Sequence, residues 1–214
     1  VSDCVWLREA VVVVAEQLPQ PRLVPAHVLY AVQLAVLPND QLLALWVEMD
    51  TLFGFPIGSH VVYAYTNNGQ WTAPLDLAST TSAVGIPALA AYQGKIHAVW
   101  GAGDDLLGYA DRIEYAVWDG SRWTAPQPLP INTGYLDMAD LAFAPNGQLH
   151  LVWNGNKTIN PADHNAYQIY YTTLRQGGWS TPVNIGNTPT YSFYPTLAVD
   201  TAGRVHVAWM EEDK

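Results

Sequence analysis

An all-β fold of repeated four-stranded antiparallel blades, a β-propeller, is what the sequence predicts, on three observations. A segment closing on tryptophan recurs at spacings of 54, 53 and 56 residues; a second Trp-bearing segment recurs between its copies; and apolar residues alternate with polar ones without helical 3.6-residue periodicity. Composition agrees. Of 214 residues, 50% are hydrophobic and only 13% charged, with nine Trp and twelve Tyr, so the chain can bury more apolar surface than ordering costs. A single Cys excludes a disulfide scaffold. Nine Lys plus Arg against nineteen Asp plus Glu, net charge −10, would repel a phosphate backbone, so nucleic acid is not an expected partner. No stretch approaches the ~18 consecutive apolar residues of a membrane span, and direct membrane insertion is not expected.

The elements follow in order. LAVLPNDQLLALW (34–46), LAAYQGKIHAVW (89–100), LAFAPNGQLHLVW (141–153) and LAVDTAGRVHVAW (197–209) each read as strand A, a tight turn and strand B, closing on Trp46, Trp100, Trp153 and Trp209. Asn-Asp, Gln-Gly, Asn-Gly and Ala-Gly at the turns supply the positive φ such hairpins need. VVYAYTNNGQWTAP (61–74), IEYAVWDGSRWTAP (113–126) and IYYTTLRQGGWSTP (169–182) read as strand C, a turn and strand D, the last led by Trp71, Trp123 and Trp179. Pro74, Pro126 and Pro182 lack the ladder N–H, which puts strand D at the sheet edge.

Units at approximately 1–46, 47–100, 101–153 and 154–209 therefore form one domain over 1–214. The fourth unit has strands A and B alone. Strands within 3–18, including the apolar run AVVVVA, are candidates to complete it, because closure removes exposed edges. A larger ring, or an arc completed by a second subunit in a homo-oligomer or larger complex, are the open alternatives.

With GKIHAVW, GQLHLVW and GRVHVAW as B strands and Gly-x-Trp or Gly-x-x-Trp turns before strand D, the chain resembles the sialidase-like, BNR-repeat β-propellers over about 34–209. The family's Asp-box, S-x-D-x-G-x-x-W, keeps only its Gly and Trp here. The resemblance implies a sialidase site of three arginines, a Tyr/Glu nucleophile pair and an Asp acid/base, opened by an Arg-Ile-Pro motif. This chain has Gly85-Ile86-Pro87 there, and three of its six arginines, Arg122, Arg175 and Arg204, fall in the short turns. Sialic acid hydrolysis is not expected.

In a blade the A–B and C–D turns share one face, and the B–C and D–A loops share the other. The first set is two to four residues long and the second is read as running to about a dozen, so a ligand site is expected on the B–C/D–A face. After each B-strand Trp come Glu48 and Asp50, Asp104 and Asp105, Asn154 and Asn156, and Glu211 with Glu212 and Asp213. Radial blades would bring these together as a polar, largely acidic ring. Such a ring suits hydroxyl-rich ligands or Ca²⁺, although the spacing matches no dedicated calcium loop, and no other cofactor is expected. Tyr109, Tyr135, Tyr191, Phe193 and Tyr194, with Phe53 and Phe55, place rings on the same face, as proteins do to stack on sugars; packing between blades is the competing role.

His97, His150 and His206 occupy one repeat position, held by Leu43 in the first unit, which marks packing rather than metal ligation. Two carboxylates about 5 to 10 Å apart would serve a glycosidase. Asp104, Asp137 and Asp140 are the spare candidates, and none is singled out as catalytic. The expected function is a non-enzymatic module binding a glycan or protein ligand through the B–C/D–A face. The alternatives are a divergent sialidase-like glycoside hydrolase or lyase, and a structural module of a larger extracellular protein. Few Lys, many Asn, Thr and Trp, and the sequon Asn156-Lys157-Thr158 suit an extracytoplasmic or secreted location.

Overall fold

The computed structural model describes residues 28–37, 40–52, 55–81, 84–103, 110–131, 135–156, 167–176 and 178–212. The first sheet holds β1 (Val28–Val36), β2 (Leu42–Leu52), β3 (Phe55–Asn67), β4 (Gln70–Trp71) and β5 (Leu75–Thr80). The second holds β6 (Ala88–Tyr92), β7 (Lys95–Ala102), β8 (Arg112–Trp118) and β9 (Gln127–Pro128). The third holds β10 (Tyr135–Phe143), β11 (Leu149–Asn156), β12 (Tyr167–Arg175), β13 (Gly178–Trp179) and β14 (Val183–Asn184). The fourth is the hairpin β15 (Tyr191–Val199) and β16 (Val205–Glu212). The A, B and C strands pair antiparallel with their neighbours in chain order, and the pieces of the fourth strand all pair with strand C, β4 and β5 with β3, β9 with β8, and β13 and β14 with β12, the A–B–C–D meander of propeller blades. The strands proposed within 3–18, and with them the completion of the fourth blade, lie outside the described residues.

The blades stack through opposite faces of the B strand. Trp100 packs with Leu43, Leu45 and Val47 of blade 1, and Trp153 packs with Ala88, Ala90 and Val99 of blade 2, so each tryptophan turns to the preceding blade. Trp46 closes a smaller cluster with Ala44, Val62 and Ala64. All three indoles are 1% exposed, and burying each large ring is a main source of the fold's stability. The D-strand tryptophans pack differently. Trp123 meets Tyr63 of blade 1 edge-on at 5.9 Å, and Trp179 meets Tyr115 of blade 2 at 5.5 Å. The repeated Tyr and Trp of the second segment are thus one inter-blade contact made twice.

Strand D is not the single strand the sequence suggests. It is cut into β4 and β5, Trp123 and β9, and β13 and β14, with the prolines in the gaps. Register slips by one residue across each gap: Thr66 faces Trp71 but Tyr63 faces Leu75; Trp118 faces Trp123 but Tyr115 faces Gln127; Leu174 faces Trp179 but Tyr171 faces Val183. Thr72, Thr124 and Ser180 close the gaps. Their N–H groups donate to Tyr65, Val117 and Thr173 carbonyls at 3.0, 2.8 and 2.8 Å. Their hydroxyl oxygens accept the N–H of those same residues at 3.2, 3.0 and 3.1 Å, standing in for a ladder carbonyl.

The B–C loops also depart from expectation. In blade 1 strands β2 and β3 run on until two residues join them, whereas nine residues separate β7 from β8 and ten separate β11 from β12. The alternation Val47-Glu48-Met49-Asp50, which the sequence suggests as a loop start, is strand, paired through Glu48 with His60 and through Asp50 with Gly58.

Candidate functional site

The inner strands bulge near the B–C/D–A end. Register shifts fall between Tyr30 and Gln33, Leu136 and Ala139, and Phe193 and Thr196. Each bulge frees backbone groups that need partners. In blade 3 the Met138 N–H donates to Asn154 Oδ1 at 2.8 Å. Asn154 is fully buried, with its Nδ2 lacking a partner among the described residues, and Asn156 is fully buried too. Both expected ligand groups of this blade are thereby drawn into the strand structure.

The carboxylates of blades 1 and 4 repeat one contact. Trp46 Nε1 donates to Glu48 Oε1 at 3.0 Å, and Trp209 Nε1 donates to Glu211 Oε1 at 2.9 Å. A carboxylate two residues after the Trp lies on the same face of the strand, which puts it within reach of the indole. Glu211 keeps its second oxygen for the Thr190 hydroxyl at 3.3 Å. Asp50 Oδ2 sits 3.0 Å from His60 Nε2, with Asp76 Oδ1 4.0 Å from the other ring nitrogen, so two carboxylates flank one imidazole. Asp140 is fully engaged: Oδ1 accepts from Leu141 N at 2.9 Å, while Oδ2 accepts from Thr196 Oγ1 at 2.7 Å and Leu197 N at 2.8 Å. It ties blade 3 to blade 4.

Asp104, Asp105, Tyr109, Phe53 and Asp213 lie outside the described residues. Tyr135 and Asp137 are described through the backbone of β10 alone. Among the described residues no group of three or more His, Cys, Asp and Glu is arranged to hold a metal ion. A cavity of ≈ 260 Å³ opens at this end between blades 1 and 2. Its walls are mostly apolar, Trp100 and Leu77 among them, and Arg112 Nε donates to Glu114 Oε1 inside it at 2.8 Å.

The aromatic residues of blade 4 do come together. Tyr167 meets Tyr191 edge-on at 5.1 Å, Tyr191 stacks on Phe193 at 4.9 Å and 23°, and Phe193 meets Tyr194 edge-on at 5.0 Å. Tyr194 is 53% exposed and sits in the bulge at φ 53°, a left-handed conformation that a large side chain rarely adopts. Ala31 holds the corresponding place in blade 1 at φ 60°.

The repeated histidines take up packing positions. His97 Nδ1 lies 2.6 Å from the Tyr115 hydroxyl and His150 Nδ1 lies 2.5 Å from that of Tyr171. Burial lowers His97 to about 4, helped by Lys95, and lowers His150, helped by Arg175. Burial also raises Tyr115 to about 12. In the described blade 4 hairpin His206 is exposed instead, 3.4 Å from Asp200.

No family model and no curated protein sequence matches the chain. Solved structures do. A protein of unknown function from Dyadobacter fermentans superposes with a TM-score of 0.66 at 14% identity, over 87% of this chain and 63% of its own. The NanB sialidase from Streptococcus pneumoniae superposes with a TM-score of 0.56 at 12% identity, over 85% of this chain and 27% of the sialidase. An α-L-arabinofuranosidase from Lactobacillus brevis gives a TM-score of 0.54 at 15% identity, over 87% of this chain and 66% of the enzyme. The chain therefore spans less than two thirds of the length of each. A PL25 ulvan lyase is also similar, at a TM-score of 0.54 and 13% identity. At such identities the likeness speaks to fold alone, and the fold is that of the sialidase-like β-propellers.

Proposed function

We propose that this chain is a non-enzymatic binding module that holds a glycan on its B–C/D–A face, with the aromatic run of blade 4 as the contact surface. The observation that carries this reading is Tyr194. A bulky residue at positive φ costs about 1 kcal/mol or more, and strain of this kind concentrates where function requires it. Folding alone would favour Asn or Gly at that bulge. Tyr194 instead spends that cost to present an exposed ring beside Phe193 and Tyr191, with Glu211 and Thr190 nearby as hydroxyl partners. Ring faces match the C–H faces of pyranoses, and carboxylates and hydroxyls match their O–H groups.

The test is a glycan array followed by calorimetry on the best ligand. Tyr194→Asn keeps the left-handed conformation at lower cost, so the variant is expected to be as stable as the parent or more so by about 0.5 kcal/mol, and to lose glycan binding. Recovery of the ligand uncleaved is expected, which separates this reading from a hydrolase or lyase. Failure of the parent to bind any glycan, or full binding by Tyr194→Asn, overturns it.

A further inference from the structure

The opposite face, built from short turns, carries a cleft of ≈ 620 Å³ where β7 of blade 2 meets the A–B and C–D turns of blade 3. His97, Phe143, Asn146, Gln148, Arg175 and Gln176 line it. Phe143 is the apolar wall, stacked on Tyr92 at 4.7 Å and 18° and met edge-on by His97 at 4.8 Å. Gly147 makes the close approach feasible: at φ 83°, a Cβ there would fall 3.0 Å from the Tyr92 hydroxyl.

The polar groups of this cleft are biased toward donors. Tyr115 stays protonated and His97 neutral at ordinary pH, with the Tyr115 hydroxyl 2.6 Å from His97 Nδ1; in the tautomer where that hydroxyl donates, the imidazole proton sits on Nε2, and this is the tautomer the site would use. Asn146 Oδ1 already accepts the Gln148 N–H at 3.0 Å, leaving its NH₂ to donate. Arg175 is exposed and makes no ion pair with a described residue, whereas Arg112, Arg122 and Arg204 pair with Glu114, Asp119 and Asp200. A guanidinium with no ion-pair partner among the described residues, in a chain of net charge −10 and set beside two further polar side chains and an aromatic wall, is complementary to a ligand that is anionic, rich in acceptors and apolar on one side.

We infer that this cleft is a second binding site, separate from the blade 4 surface, and that it takes a sugar acid whose carboxylate meets Arg175 while its hydroxyls meet Asn146 and His97. Binding of D-glucuronate and D-glucose to the whole chain, followed by amide chemical shifts and repeated at raised salt, tests this. Glucuronate is expected to shift Gly147 and Gln176 rather than Tyr191 and Tyr194, and to bind about tenfold or more tightly than glucose, with the difference shrinking as salt rises. Arg175→Gln, an exposed change, is expected to weaken glucuronate about tenfold. Asn146→Asp keeps the acceptor for Gln148 but replaces the NH₂ donor with an anionic oxygen that repels a carboxylate, and is expected to weaken it at least as much, while Tyr194→Asn leaves it unchanged. Absence of glucuronate binding, equal affinity for glucose, or parental affinity in Arg175→Gln overturns the site, whatever the outcome for glycans on the other face.

Discussion

At the scale of single residues, the histidine position shows how packing sets chemistry. Leu43 stands in blade 1 where His97 and His150 stand in blades 2 and 3, and an apolar equivalent argues for a neutral ring, which is buried at His150 and half-buried at His97. The tyrosine partners are harder to read. His97 pairs in register with Val117, so Tyr115 reaches it diagonally, a relation that no spacing along one strand reveals. The consequence is a pH dependence of definite sign. The folded chain holds His97 at about 4 against 6.5 for the free side chain, so the unfolded chain binds more protons between these values. Stability fully present above pH 6.5 is therefore lost as pH falls toward about 4, and His150, shifted the same way, adds to the slope. Melting temperature measured from pH 7.5 to 4 is expected to fall across this window. The paired change His97→Leu with Tyr115→Phe, which copies the apolar choice made at Leu43, is expected to flatten that fall; an unchanged slope would assign the pH response to other groups.

At the scale of elements, the hairpins and their order were legible because turn dipeptides and period-2 alternation are local signals. The extension of β2 and β3 was legible in principle, since Val47-Glu48-Met49-Asp50 alternates as a strand does; its acids point equally to a loop. The broken D strand was half legible. WTAP, WTAP and WSTP announce a repeated edge with proline, but periodicity does not show that the hydroxyl after each Trp replaces a backbone acceptor. That substitution is energetic as well as geometric. Without it the C-strand N–H loses its only ladder-like acceptor at the slip. Thr124→Val, which keeps the shape and removes the acceptor for Val117 N–H, is expected to destabilise the fold by about 1 kcal/mol in denaturant unfolding, with Thr124→Ser restoring most of it. A valine variant as stable as the parent would mean that water serves this exposed edge equally well.

At the scale of the whole molecule, the blades hold together by successive burial of one blade's Trp face on the preceding blade, and the described fourth hairpin meets this scheme from one side. Leu197 faces blade 3 and is 8% exposed, whereas Thr196, Ala198, His206, Ala208 and Met210 are exposed. Its attachment thus depends on one apolar face and on Asp140, read in sequence as a spare catalytic carboxylate because its polar alternation gave no hint of a partner 56 residues away. The carboxylate accepts the Thr196 hydroxyl and the Leu197 N–H within 2.8 Å, and hydrogen bonds to a charged group contribute about 1.5 to 3 kcal/mol each. Asp140→Ala should therefore release β15 and β16 as a local unit rather than unfold the protein, because the cores between blades 1, 2 and 3 do not involve it. Hydrogen exchange followed by mass spectrometry is expected to show amides of β15 and β16 exchanging at least about tenfold faster, with those of β7 and β11 unchanged. Faster exchange spread evenly over all four sheets would instead make the arc a single cooperative unit, and unchanged exchange in β15 would leave the apolar face as the whole of the attachment.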